Sequence, residues 1–325
     1  MGLVLYDWAV PYILGVEDPK AGVGLGLLSA GASFYIPFST TSRRMVTYGE
    51  AEMVRTSALR GLPYGALVYD LIRSDDEEGG RALASLLMAS SLAGGIGGSH
   101  WARKTQMTAG TARMVANGSD FGMLAAGGLL VFCDAEDDHV IAGSLLAGGI
   151  GGVAVAYHRA KALPYSWGDA EALRTAGILG AFAGAVVLEW SDTEDERAYA
   201  AGVLGGCAAG LVVGDRLVER TELTGGQAIL IELGTIAGGV TGLGLAYLLA
   251  SDNADATIYL TSSMVGATAG YALTYRSMRR DSGPAHRSSL ELQLDPIGLA
   301  GLLGASDWVR KDLPQAPLLS VNWRF

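Results

Sequence analysis

The side chains with the most chemistry to offer in this chain are charges set inside apolar stretches. Arg55, Arg60, Arg113, Asp120, Glu171, Arg174 and Glu232 interrupt runs that are otherwise mostly nonpolar. Removing a charge from water is costly, so such groups either line a polar path or neutralise one another. Two chemistries follow. One is conduction or transport along a charged route; the other is a salt-bridge layer that fixes the register of neighbouring elements. The second asks for less and is the expectation.

Other constellations carry less. His100 and His158 stand beside Trp101 and Tyr157 at basic ends of apolar stretches, His139 follows an acidic turn, and His286 lies far along the chain. No pair has the helical spacing of a metal site. Asp134, Glu136, Asp137 and Asp138 could hold calcium loosely, but they lack the ligand and glycine order of a calcium loop. The run Gly94 to Gly98 has no preceding strand and no Lys-Ser/Thr ending, so it reads as packing rather than a phosphate loop. Cys133 and Cys207 are too isolated to form a disulfide framework. No catalytic residue, cofactor or metal is expected, and the chain reads as non-enzymatic.

The elements that must position the charges are visible as a repeat. A Ser/Thr-x-Gly-x-Ala element is followed after nine residues by Gly-x-x-x-Gly/Ala. It occurs at Thr47, Gly49 and Ala51 with Gly61 and Gly65, and at Thr108, Gly110 and Ala112 with Gly122 and Ala126. It recurs at Ser166, Gly168 and Ala170 with Gly180 and Gly184, and at Thr224, Gly226 and Ala228 with Gly238 and Gly242. The steps between copies are 61, 58 and 58 residues. Acidic clusters such as Asp134 to Asp138 alternate with basic ones such as Arg159 and Lys161, each pair separated by one apolar helix length.

The chain is therefore expected to be all-α: about nine helices in up-and-down hairpins of ~58 residues, packed through glycine faces, with a short β-like C-terminal tail. The helices fall near 20–40, 49–73, 80–103, 109–132, 139–160, 168–190, 197–219, 225–250 and 256–279. Small residues recur at every fourth position, as in Gly202, Gly206, Gly210 and Gly214, which puts them on one helical face. Transmembrane strands would instead alternate over ~9–11 residues. The Ser/Thr of each repeat is expected to cap a helix; four such turns gathered into an anion site is the less economical reading.

Composition sharpens this. Half of the 325 residues are hydrophobic, which excludes disorder, and the net charge of −10 excludes nucleic acid as a partner. Residues 82–99, 140–157 and 256–275 contain no Asp, Glu, Lys or Arg and are long enough to cross a bilayer. Residues 21–42 are equally uncharged, and Pro37 is expected to break that helix near its end. The alternate helices are less clean in their first halves, where Glu52, Asn117 and the seven charges above lie. A lipid bilayer is the expected surrounding, with basic turns on the cytoplasmic side if it is an inner membrane.

Three regions are expected: a lead-in over 1–19, a helical hairpin domain over 20–280, and a linker with a docking tail over 281–325. The front lacks the usual form of a signal peptide, since no Lys or Arg precedes its apolar run and Asp7 interrupts it. In the tail, Leu290 to Leu294 alternates, and so does the ending Leu319, Val321, Trp323, Phe325. That ending resembles the terminal signal of bacterial outer-membrane β-barrels. The resemblance covers about seven residues and points toward the outer membrane, within a cell-envelope location that is otherwise open between inner and outer; the tail is expected to dock to other protein subunits. A scaffold subunit of an envelope complex, with a homo-oligomer among its forms, is the leading functional expectation. A channel or transporter using the charged layer is the alternative.

Overall fold

The computed structural model describes residues 5–42, 44–73, 79–191, 193, 195–219, 221–250, 255–280, 290–294 and 319–323. It contains ten helices among them: α1 (Asp7–Leu14), α2 (Pro19–Thr41), α3 (Tyr48–Ile72), α4 (Gly80–Thr105), α5 (Ala109–Phe132), α6 (Asp138–Ala162), α7 (Trp167–Glu189), α8 (Glu196–Val218), α9 (Gly225–Leu249) and α10 (Ala256–Arg280). The chain divides into two compact units, Met1–Arg279 and Arg280–Phe325. In the second, β1 (Leu290–Leu294) pairs antiparallel with β2 (Leu319–Trp323), Leu290 opposite Trp323 and Leu294 opposite Leu319.

The repeated hydroxyls begin the helices α3, α5, α7 and α9. Thr47, Thr108, Ser166 and Thr224 each accept a bond from the backbone amide three residues on, and Ser166 and Thr224 complete reciprocal capping boxes with Asp169 and Gln227. These bonds satisfy amides that a helix start otherwise leaves orphaned. The intervening helices start differently. Asp18, Asp137 and Asp195 cap α2, α6 and α8, while Arg103 with Lys104, Arg159 with Lys161, and Arg216 close α4, α6 and α8. Both sets of charges suit the helix dipole, and the hairpins acquire an acidic end and a basic end.

Two differences from expectation concern the front of the chain. The lead-in contains α1, which packs against α2 and α4. Alternation and length signals are weak over its eight residues, and Pro11 lies inside it. Pro37 does not break α2, which runs on to Thr41. The hydroxyls of Thr40 and Thr41 donate to the carbonyls of Ile36 and Pro37 at 2.9 and 2.7 Å and support the last turn.

Helices α3 with α4, α5 with α6, α7 with α8 and α9 with α10 form hairpins in which backbones touch through small residues. A Cβ at Gly61 would overlap the Ser90 carbonyl, at Gly122 that of Gly148, at Gly180 that of Gly206, and at Gly238 that of Gly266. Gly184 and Gly242 meet the carbonyls of Gly202 and Ser262 in the same way, while Gly65 faces the Ser90 hydroxyl. Without side chains there, helices approach closely enough for extensive dispersion contact, which is what holds helices together where lipid replaces water. Neighbouring hairpins join through an inner row, α3 to α5 to α7 to α9.

Large apolar side chains point outward, including Leu27, Phe34, Ile150, Val155, Val240 and Leu248, while Glu50, Glu52, Asn117, Asp169 and Glu171 are buried. That inverts the arrangement of a water-soluble bundle. Seven helices, α2 and α4 to α9, are long and apolar enough to cross a membrane. The inner helices α5, α7 and α9 are among them despite their charges. α10 is not, because its many Thr, Ser and Tyr side chains lower its hydropathy, and α3 carries Glu50, Glu52, Arg55, Arg60 and Asp70.

Candidate functional site

Each inner helix opens at the basic end with its capped turn, and that turn also makes the joint to the next hairpin. A Cβ at Gly49 would overlap the Met107 carbonyl, at Gly110 that of Tyr165, and at Gly168 those of Leu223 and Thr224. Polar bonds reinforce the third joint: Ser166 Oγ donates to the Leu223 carbonyl at 2.6 Å, and the Leu223 amide donates to Asp169 Oδ1 at 3.0 Å. Gly226, the fourth member of the series, has no atom of the described residues within 4 Å of where a Cβ would stand.

One to three turns further in, the charges meet. Arg55 Nε and Nη2 donate to Glu52 at 3.1 and 2.6 Å. Glu52 Oε1 lies 3.7 Å from Arg113 Nη1 on α5, and Arg113 Nε donates to Glu171 Oε2 on α7. Arg174 Nη1 donates to Glu171 Oε1 at 2.9 Å and stands 3.9 Å from Glu232 on α9. Arg55, Glu52, Arg113, Glu171, Arg174 and Glu232 thus form one row of alternating sign across all four inner helices. A second rung joins Arg60 Nε to Asp120 Oδ1 at 2.9 Å. All seven candidate charges are engaged in these pairs.

The middle of the row is buried and its extremes are not. Glu171 is 3% exposed, Glu52 5% and Arg113 13%, against 50% for Arg55 and 38% for Glu232. Arg113 also lies over the Trp167 ring, 5.6 Å from its centroid, within cation–π range. Neutral bonds run alongside: Tyr64 and Ser119 hydroxyls at 2.6 Å, and Asn117 Nδ2 donating to the Ala170 carbonyl at 2.8 Å. Glu52, outside the seven candidates, is the residue that links Arg55 to Arg113. Its signal is positional, because it follows Ala51 as Arg113 follows Ala112 and Glu171 follows Ala170.

At the basic end, Arg44 Nη1 and Nη2 donate to Glu50 at 3.0 and 2.7 Å, and Ser99 donates to the same carboxylate at 2.7 Å. In the turn before α7, the Tyr165 hydroxyl donates to Asp215, which also holds Arg159. Burial, and then the bond to Asp215, push the Tyr165 pKa upward.

Two larger cavities lie between hairpins. One of about 820 Å³ is walled by residues such as Phe121, Gly122, Leu130 and Leu211, with Arg159 and Asp215 along its margin. The other, of about 890 Å³, is walled by Gly180, Val187, Gly206 and Tyr271 with Arg276. No charge of the alternating row lines either of them. Among the described residues no group of three or more His, Cys, Asp and Glu could hold a metal ion. Leu319, Val321 and Trp323 lie on β2, and Phe325 lies outside the described residues.

Fold and site together define a multi-pass helical membrane protein whose spans are joined by buried ion pairs. The chain matches no protein-family model, and neither a curated protein nor a solved structure is significantly similar to it.

Proposed function

We propose that this chain is a non-catalytic scaffold subunit of a bacterial cell-envelope membrane complex, a row of hairpins whose C-terminal tail docks to other protein subunits. The observation that carries the reading is the position of the charges. They are neutralised pairwise between inner helices, and none of the row lines the two larger cavities. A transport path needs charges that a solute can reach, whereas a register device needs charges that reach each other. Basic helix ends face the cytoplasm in this reading, following the positive-inside bias.

The test removes residues 286–325 and asks two questions of the same cells. The truncated scaffold should stay in the membrane fraction and lose its co-purifying proteins. A truncated chain that keeps every co-purifying protein contradicts tail docking. Solute flux through wild-type proteoliposomes would favour the channel or transporter instead.

A further inference from the structure

The gap between the α3–α4 and α5–α6 hairpins and the gap between α5–α6 and α7–α8 are closed differently. Counted from the capping hydroxyls Thr47 and Thr108, Tyr64 and Ala125 hold the same place, 17 residues on. Tyr64 reaches across the first gap. The end of its ring lies against Gly149 on α6, and its hydroxyl stands 2.6 Å from that of Ser119 on α5. Ala125 has no side chain with which to cross the second gap, and the cavity of about 820 Å³ lies there. Ala125 and Leu130 of α5, Val155 of α6 and Leu211 of α8 are among its walls. That volume is within the ~300–1,000 Å³ of small-molecule sites.

One buried acceptor in that wall has no donor. Asn117 is 3% exposed, and its Nδ2 donates to the Ala170 carbonyl at 2.8 Å, but its Oδ1 has no partner among the described residues. The other repeats do not need such a group. Thr56 and Thr175 stand at the same place, 9 residues after their caps, with hydroxyls donating to the Glu52 and Glu171 carbonyls of their own helices. Asn117 is the ninth residue of α5, ~13 Å from its basic end at 1.5 Å per residue, which is within the hydrocarbon of a bilayer. Phospholipid offers chains and ester oxygens at that depth, and none of these donates. A trapped water would need about two to four polar partners. The remaining polar wall residues stand towards the two ends of the cavity, Ser144 at one and Arg159 with Asp215 at the other. The larger cavity beside α10 differs again: there the Tyr271 hydroxyl, in the wall, donates to the Ala172 carbonyl at 3.3 Å.

We propose that the cavity between the α5–α6 and α7–α8 hairpins binds an uncharged lipid alcohol, its hydroxyl donating to Asn117 Oδ1 and its apolar body lying between α6 and α8. The donor is what Asn117 lacks. The absence of charge follows from the wall, where Arg159 and Asp215 already neutralise one another. The lipid body follows from α6 and α8, both long and apolar enough to cross a membrane, which flank the cavity. The inference rests on the membrane fold and is independent of the scaffold role.

Full-length protein in phosphatidylcholine nanodiscs is photolabelled with hexadecanol carrying a diazirine in its chain, and the labelled residues are mapped by mass spectrometry. Labelling should saturate and should concentrate on wall residues such as Val155 and Leu211. Unlabelled hexadecanol should displace the label about tenfold better than hexadecyl methyl ether, which accepts a hydrogen bond but cannot donate one. Asn117→Thr should remove that preference. Ala125→Tyr, which restores the side chain used in the first gap, should abolish labelling of the wall without lowering the unfolding temperature. Equal displacement by alcohol and ether from wild type overturns the proposal, and that comparison needs no variant. Labelling spread evenly over the outer helices overturns it too, since both results describe a groove filled by ordinary bilayer chains.

Discussion

Contacts within a hairpin rest on bare glycine faces, whereas contacts between hairpins add ion pairs and capped turns to a glycine contact at the basic end. Inside the α5–α6 pair, Gly122 and Gly148 bring backbone against backbone with no polar side chain involved. Between α5 and α7, the joint is a capped turn, a guanidinium on a buried carboxylate, and Asn117 on the Ala170 carbonyl. Bare glycine faces give close packing but little discrimination, since one small-residue stripe fits another. A fixed order of charges discriminates, because a slipped neighbour would set like charges together. Packing thus makes hairpins, and ion pairs decide how hairpins line up.

The comparison can be broken from either side. The largest effect is expected at the between-hairpin joint. Arg113→Ala leaves Glu171 with only half-exposed Arg174, and should cost about 3–5 kcal/mol, the usual result of stripping one partner from a buried pair. Denaturant titration in detergent measures it. Within a hairpin, Gly122→Leu must push apart backbones that touch, at about 1–3 kcal/mol. Gly151→Leu, on a face with nothing within 4 Å, is the control and should be near neutral. Equal losses at both glycines would remove the packing argument. Thr108→Ala deletes the cap that the Thr111 amide donates to, and should cost about 1 kcal/mol, read as a lower unfolding temperature.

The smallest expected effect is with pH. The Tyr165 pKa is raised above its ordinary value near 10, so the folded state favours the neutral phenol. Its contribution is complete below pH 10 and declines as pH rises above that value. Tyr165→Phe should flatten the alkaline limb of the stability profile.

How much of this was legible in the sequence differs between the two kinds of contact. The hairpins were, because capping hydroxyls and every-fourth small residues are local patterns, and Thr108 with Gly110 and Gly122 states helix start and packing face together. Which glycine does what was not. Gly49, Gly110 and Gly168 look like parts of a cap, yet their closest neighbours belong to the turn of the next hairpin, 55 or more residues on. The charges were legible as a set but not as a row, since Glu52 pairs inward to Arg113 on the next inner helix and outward to Arg55 on its own, and helix rotation decides that. α1 was hidden by its brevity, because eight residues with an internal proline give no readable period.

Everything above turns on the buried row being a joint rather than a path. A double-mutant cycle on Arg113→Ala and Glu171→Ala, with ion flux recorded from the same proteoliposomes, tests this directly. The joint predicts large single losses of stability, a double mutant less damaged than their sum by about 0.5–3 kcal/mol, and no flux from wild type. Wild-type flux that either substitution abolishes while stability is unchanged would contradict it.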